Sequence, residues 1–239
     1  MAERFLFDVG RERLTAIVHR PSKPLGFTLL LGHGMTGGQR GEFIGDYAAG
    51  LSDRGVLVVT YEFPFAAHGR RSPDPNMVLE ASCRRAAVAA RQCRPRNLLF
   101  LGGKSLGGRV ASEVVATGGS EVDDVAGVVL LGYPLHTIGR PEAPQWRHLG
   151  DVRVPVLIVQ GTRDVFGTPM EIRPVLTPLP RGSRIFTVDG GDHSFTVPTR
   201  GGRTQADVHA GIQDEIVQWM SEVALAYGGG AARAGASPR

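Results

Sequence analysis

Apolar residues fall into short runs along the chain, and the character of the runs changes once. Residues 4–9 and 13–19 alternate apolar and polar about Gly10-Arg11-Glu12, the pattern of an antiparallel hairpin whose turn is supplied by Gly10. From Phe27 onward the runs FTLLLG, VLVVTYEF, NLLFLGG, VAGVVLLGY, VPVLIVQG and RIFTVDG are apolar at successive positions. A strand carries apolar side chains on both faces when helices cover both, so these runs predict parallel strands. Helical spacing lies between them at 41–54, 77–93, 106–117, 168–177 and 204–227. The last of these steps Val208, Ile212, Ile216, Met220, Val223 and Tyr227 by three or four along one face, which should pack on the sheet.

Strand and helix alternating in this way predict right-handed crossovers and an α/β fold: a doubly wound, mostly parallel sheet with an N-terminal antiparallel hairpin. Ligands of such sheets bind at the carboxyl ends of the strands, so function is sought where strands end. A single domain is expected over 1–227, with 228–239, GGGAARAGASPR, as a disordered tail that has nothing to bury.

Composition narrows the class. Of 239 residues, 42% are hydrophobic and 21% charged, ordinary values for a chain with a full core. The net charge is +4, but the basic residues run from Arg4 to Arg239 without a dense block, which argues against nucleic acid as a partner. All but Lys23 and Lys104 of the 27 basic residues are arginine. Cys83 and Cys93 fall in one helical segment and make no disulfide framework, as expected in a reducing, cytoplasmic setting. No apolar run approaches the ~20 residues that span a bilayer, so no membrane role is expected. No His/Cys/Asp cluster suggests a metal and no glycine fingerprint suggests a dinucleotide, so no cofactor is expected.

The chemistry gathers at the strand ends. The run NLLFL leads into Gly102-Gly103-Lys104-Ser105-Leu106-Gly107-Gly108 and then a helical pattern, the strand-to-helix setting of a G-x-S-x-G nucleophile turn. Gly103 and Gly107 lack the Cβ atoms that would collide in so tight a turn, and Ser105 is thereby held outward at a helix N-terminus. A serine hydroxyl needs a histidine base and an acid that orients it. Run VPVLIVQG ends in Gly161-Thr162-Arg163-Asp164, and run RIFTV is followed by Asp189-Gly190-Gly191-Asp192-His193. Ser105, Asp164 and His193 are therefore the candidate catalytic residues. Asp192 is the rival acid, placed second because a side chain adjacent to His193 in sequence reaches its Nδ1 poorly. After TLLL comes Gly32-His33-Gly34-Met35, so the backbone N–H groups of Met35 and Leu106 are the candidate oxyanion donors. Among the remaining histidines, His19, His148 and His209 read as surface or element-end residues, while His136 follows a strand end and is left open.

These residues carry a family resemblance over nearly the whole chain to about Tyr227. Gly32-His33-Gly34, Glu62-Phe63-Pro64-Phe65, Gly102 to Arg109, Tyr133-Pro134-Leu135-His136 and Asp192-His193-Ser194 together resemble the α/β-hydrolase superfamily. Within it the chain looks most like the small, cap-less dienelactone-hydrolase-like branch related to testis-expressed and chromatin-complex-subunit hydrolase-like proteins. The resemblance implies the same nucleophile, acid and base that the spacing suggests. Ser105 stands where dienelactone hydrolases use cysteine, so their substrate is not carried over.

Only His136 to Arg153 separates VVLLGYPL from VPVLIVQG, too short a stretch for a lid domain. An open site for small or accessible esters is expected. Residues 64–76 hold Arg70 and Arg71 just past a strand end, where they would border the site or simply solvate the loop; Glu62 is a wall residue or an arginine partner. The expected activity is hydrolysis of a small-molecule ester or thioester through an acyl-enzyme, by a monomer or small homo-oligomer. Acyl transfer would use the same residues, and a hydrolase-shaped scaffold would keep them without turnover.

Overall fold

The computed structural model describes residues 3–198 and 204–234. Strands β1 (Glu3–Val9) and β2 (Glu12–His19) pair antiparallel across Gly10, whose φ of 59° is the left-handed conformation that a residue without Cβ adopts freely. Then follow β3 (Phe27–Gly32), β4 (Leu57–Tyr61), β5 (Leu98–Lys104) and β6 (Val125–Leu131). A short ribbon, β7 (His136–Thr137) with β8 (Arg140–Pro144), precedes β9 (Val156–Gly161) and β10 (Arg184–Val188). Eight strands form one sheet in the order β1-β2-β4-β3-β5-β6-β9-β10, parallel from β4 to β10 and antiparallel where β2 meets β1 and β4. This is the expected mostly parallel sheet with its antiparallel opening.

Helices α1 (Glu42–Asp53), α3 (Asn76–Cys93), α4 (Leu106–Thr117), α5 (Pro169–Leu176) and α6 (Gln205–Ala234) lie where the 3.6-residue spacing predicts them. Because alternate strand residues face opposite ways, Leu30 and Val59 pack with Leu79, Ala86 and Ala87 of α3 on one face. Leu29, Leu31 and Val58 pack on the other face with Ile44 and Leu51 of α1 and Ile212, Ile216 and Trp219 of α6. Burying such side chains contributes roughly 1.5–3 kcal/mol each, and this is what holds the helices to the sheet. Cys83 sits in the α3 core as a free, buried thiol.

Three features depart from the sequence expectations. The segment after Phe63 is not all loop, since Pro64–Ala67 makes one helical turn, α2, opened by proline at its first position. The connection after β6 is not bare either, holding the β7–β8 ribbon and a 3-10 turn at Arg147–Asp151 in place of any helical cap. Helix α6 runs on to Ala234, past the boundary expected at Tyr227, and residues 235–239 lie outside the described residues. Its 30 residues extend about 45 Å, whereas strands of five to seven residues span roughly 20 Å, so the helix outruns the sheet. Val223 is the last residue of the predicted stripe in the core, and Tyr227 is 46% exposed. Among the described residues no helix is long and apolar enough to cross a membrane.

Candidate active site

Ser105 joins β5 to α4 with φ 51° and ψ −113°, a conformation that costs a non-glycine residue free energy and that surrounding structure must impose. Its N–H donates to Leu131 O at 2.9 Å and its carbonyl accepts from the Arg109 N–H at 3.0 Å, so both sides of the turn are pinned. The glycines leave room for this. A Cβ on Gly103 would lie 2.6 Å from Gly32 O and 2.7 Å from Gly108 N, and one on Gly107 would lie 2.7 Å from His33 O. All of these are backbone atoms, which cannot swing away.

Asp164 follows β9 and is 3% exposed. A buried carboxylate must have its lone pairs engaged. Oδ1 accepts from the Phe166 N–H at 2.9 Å, and Oδ2 accepts from Gln160 Nε2 and faces His193 Nδ1, both at 2.8 Å. The carboxylate fixes the proton of His193 on Nδ1, which leaves Nε2 as the free basic nitrogen. The Phe166 ring packs against the imidazole at 4.4 Å between centroids. Asp192 does other work: its Oδ1 accepts from the Ser194 and Thr196 N–H groups, each at 2.8 Å, and so closes the turn that presents His193.

Gln160 was not among the sequence candidates. It is fully buried; its Oε1 accepts from the Tyr133 N–H at 2.8 Å, while Nε2 donates to Asp164 and to Gly167 O at 2.7 Å. It ties the ends of β6 and β9 to the acid. The signal was present as the single polar residue in the run VPVLIVQG.

His33 is wholly buried beneath the loop after β3. Its Nδ1 lies 2.6 Å from Gly34 O, which can only accept, so Nδ1 carries a proton and donates it. Nε2 sits between the Phe63 N–H, at 3.1 Å, and Glu62 Oε1, at 3.2 Å: neutral, it accepts from the former, and protonated, it donates to the latter. Burial pushes the Glu62 carboxyl up, but His33 beside it and the Gln39 N–H outweigh that and hold it below the usual range. A trans peptide directs its N–H opposite to its carbonyl. With Gly34 O turned inward to His33, the Met35 N–H points outward, and it has no hydrogen-bond partner among the described residues. A Cβ on Gly34 would sit 3.7 Å from Ser105 Cβ, so this loop runs beside the serine. Leu106, first in α4, has an N–H with no intrahelical acceptor.

A cavity of about 520 Å³ brings these groups together, lined by Met35, Ser105, Leu106, His136, Phe166 and His193 among others. Ser105 is partly exposed at its floor, and among the described residues no hydrogen bond joins its hydroxyl to His193. Such bonds commonly tighten only when substrate binds. His136 reaches the wall from β7, with Nε2 at 3.5 Å from Glu171 Oε1. His148 departs from the surface reading: it is half-buried against Ser112 Oγ at 2.8 Å, and burial pushes its pKa down to about 4.

Lys104 is the unexpected charge. It is 7% exposed, its Nζ has no hydrogen-bond partner among the described residues, and the Phe43 and Phe195 ring centroids lie 5.6 and 5.9 Å from it. Burial pushes its pKa down to about 8, against the pull of the Asp164 and Asp192 carboxylates. Nζ and His193 Nδ1 both lie within 3.3 Å of the point where a Gly132 Cβ would stand, so the amine sits close behind the histidine.

Residues 26–221 match the family model described as an alpha/beta hydrolase domain. The chain belongs to the α/β-hydrolase family. Solved structures share its fold at low identity. A Xanthomonas campestris protein described as an α/β serine hydrolase without lid is 21% identical, with a TM-score of 0.71 over 91% of this chain and 94% of that one. A dienelactone hydrolase from Anabaena variabilis is 16% identical, with a TM-score of 0.72 over 93% and 97%. The esterase domain of a Rhodothermus marinus protein is 16% identical, with a TM-score of 0.66 over 92% and 97%. Among the described residues the chain carries no cap over the sheet, as in the Xanthomonas protein described as lidless, in keeping with the short β6–β9 connection.

Proposed function

We propose that the protein is a serine esterase or thioesterase working through an acyl-enzyme. Ser105 Oγ attacks the carbonyl carbon while His193 Nε2 takes its proton, and Asp164 holds the imidazole and offsets the charge it acquires. The Met35 and Leu106 N–H groups receive the oxyanion. His193 then returns the proton to the leaving alcohol or thiol. Water, activated by the same nitrogen, attacks the acyl-serine and releases acid and free Ser105.

The observation that carries this reading is the 2.8 Å His193–Asp164 contact, which leaves a basic nitrogen in the same cavity as a serine held in a strained turn. The Xanthomonas and Rhodothermus relatives, described as serine hydrolase and esterase, support it. A small-molecule substrate fits a cavity of this size, and the free thiols Cys83 and Cys93 support a reducing, cytoplasmic setting. The catalytic unit is taken as the segment through Tyr227, with Val223 the last core residue among the described side chains.

Labelling by a fluorophosphonate probe decides between enzyme and scaffold. Wild type should label and Ser105→Ala should not, with p-nitrophenyl ester or thioester hydrolysis falling by about 10⁶-fold in the variant. Folded wild-type protein that neither labels nor hydrolyses any ester of graded acyl length would make it a scaffold.

A further inference from the structure

A second cavity, about 860 Å³, adjoins the one that holds Ser105. The two share Met35, Thr36 and Gly38, so the loop that presents the Met35 N–H is the partition between them. Arg40, Arg70 and Arg71 line this second space, and among the described residues Glu62 is the only acidic side chain on its wall.

The Glu62 carboxylate is already engaged, with Oε1 accepting from the Gln39 N–H and lying against His33. Asp74 is turned inward: Oδ2 accepts from the Phe65 N–H at 2.7 Å and Oδ1 takes Arg70 Nη2 at 2.6 Å. That pair anchors the 63–74 segment and fixes one guanidinium at the rim. Arg40 and Arg71 have no ion pair among the described residues. Gln39, 2% exposed in the same wall, has a side-chain amide that leans on Glu62 electrostatically without reaching hydrogen-bonding geometry. The wall therefore offers donors and positive charge in excess of what the protein itself uses.

We infer that this cavity is an anion subsite, and that the substrates of Ser105 are esters carrying a second, negatively charged oxygen group, a carboxylate or a phosphate. This rests on the proposed acyl-enzyme reading. With the reacting carbonyl oxygen at the Met35 N–H, the remainder of the molecule passes the partition, and its anionic end meets Arg40 and Arg71. Guanidinium groups suit such an end because their planar fork donates two parallel hydrogen bonds to one oxyanion.

Three matched substrates test it: mono-p-nitrophenyl glutarate, its methyl-capped diester, and an ester of similar length ending in phosphate. Wild type is expected to favour at least one charged ester over the neutral one by about tenfold in kcat/KM, the size of effect one or two charge-assisted contacts produce. The preferred charged ester identifies which oxyanion the site takes. Arg40→Ala with Arg71→Ala should lower kcat/KM on that ester about tenfold more than on the diester. Equal rates on charged and neutral esters in wild type, or a preference that survives in the double variant, overturns the subsite and leaves the hydrolase reading standing. A protein that turns over none of the three leaves the hydrolase reading to the fluorophosphonate probe, whose failure to label refutes it. The cavity is then judged by calorimetric binding of monomethyl glutarate or methyl phosphate to Ser105→Ala protein. Binding that weakens about tenfold in the added double variant supports the subsite, and binding that is absent or unchanged overturns it.

Discussion

The two cavities share the Met35 loop, yet their other walls are made of different material. Around Ser105 the positions are set by backbone atoms in contact and by buried hydrogen bonds: glycines where no Cβ fits, Gln160 clamping Asp164, and His33 fixing one peptide plane. Around Arg40 and Arg71 the charge is carried by three exposed arginines on a 3-10 turn and a loop, and among the described residues only Arg70 of them is tied down, to Asp74. Chemistry that needs atoms placed to within a fraction of an ångström uses the first kind of wall. Recognition of a charge, which acts over a longer range, can use the second.

Asp164→Asn should strike the first wall hardest. The fold keeps its shape, but the amide cannot hold the Nδ1–H tautomer, and ester hydrolysis should lose about 10⁴-fold in kcat with KM little changed. A smaller loss, under about tenfold, would mean that another group orients His193. Gly103→Ala comes next. The added methyl meets only backbone, and the protein should lose about 3 kcal/mol or more in urea unfolding, since neither neighbour can give way.

Lys104→Met probes a place where the tight wall carries a cost that the Asp164 and Asp192 carboxylates offset only in part. The folded pKa of about 8 lies below the ordinary 10.5, so folding disfavours the charged amine. Below pH 8 that penalty is fully present; between about 8 and 10.5 the unfolded chain binds more protons, and wild-type stability rises with pH. The variant should therefore be more stable at pH 7, by up to about 3 kcal/mol, with the advantage gone near pH 10.5. A pH-independent difference between the two unfolding curves would show that packing, not charge, sets it. Arg71→Ala should be the mildest change, within about 0.5 kcal/mol of wild type in the same assay, because nothing in the fold leans on that side chain.

Much of this could be read along the chain. Strands apolar on both faces announce a covered parallel sheet, and helical spacing over 168–177 located α5, which the structure opens with a Thr168–Glu171 capping box. The strand-end positions of Ser105, Asp164 and His193 follow from the same pattern. Other features were hidden because their cause is not local. Gln160 matters only because the ends of β6 and β9 meet around it. His33 is a loop histidine until Gly34 O and Phe63 N are found on either side of its ring. The α6 stripe was right through Val223 and failed at Tyr227, since periodicity does not say where the sheet ends.

By itself, then, the order of apolar runs and glycines determined the architecture and which residues stand at its strand ends, because hydrophobic periodicity and Cβ sterics act over a few residues. Which carboxylate faces the imidazole, which peptide turns its N–H outward, and which arginines share one cavity were decided only in three dimensions. Those relations join residues 29 to 31 positions apart and more, and nothing short of the folded sheet fixes the distance between them.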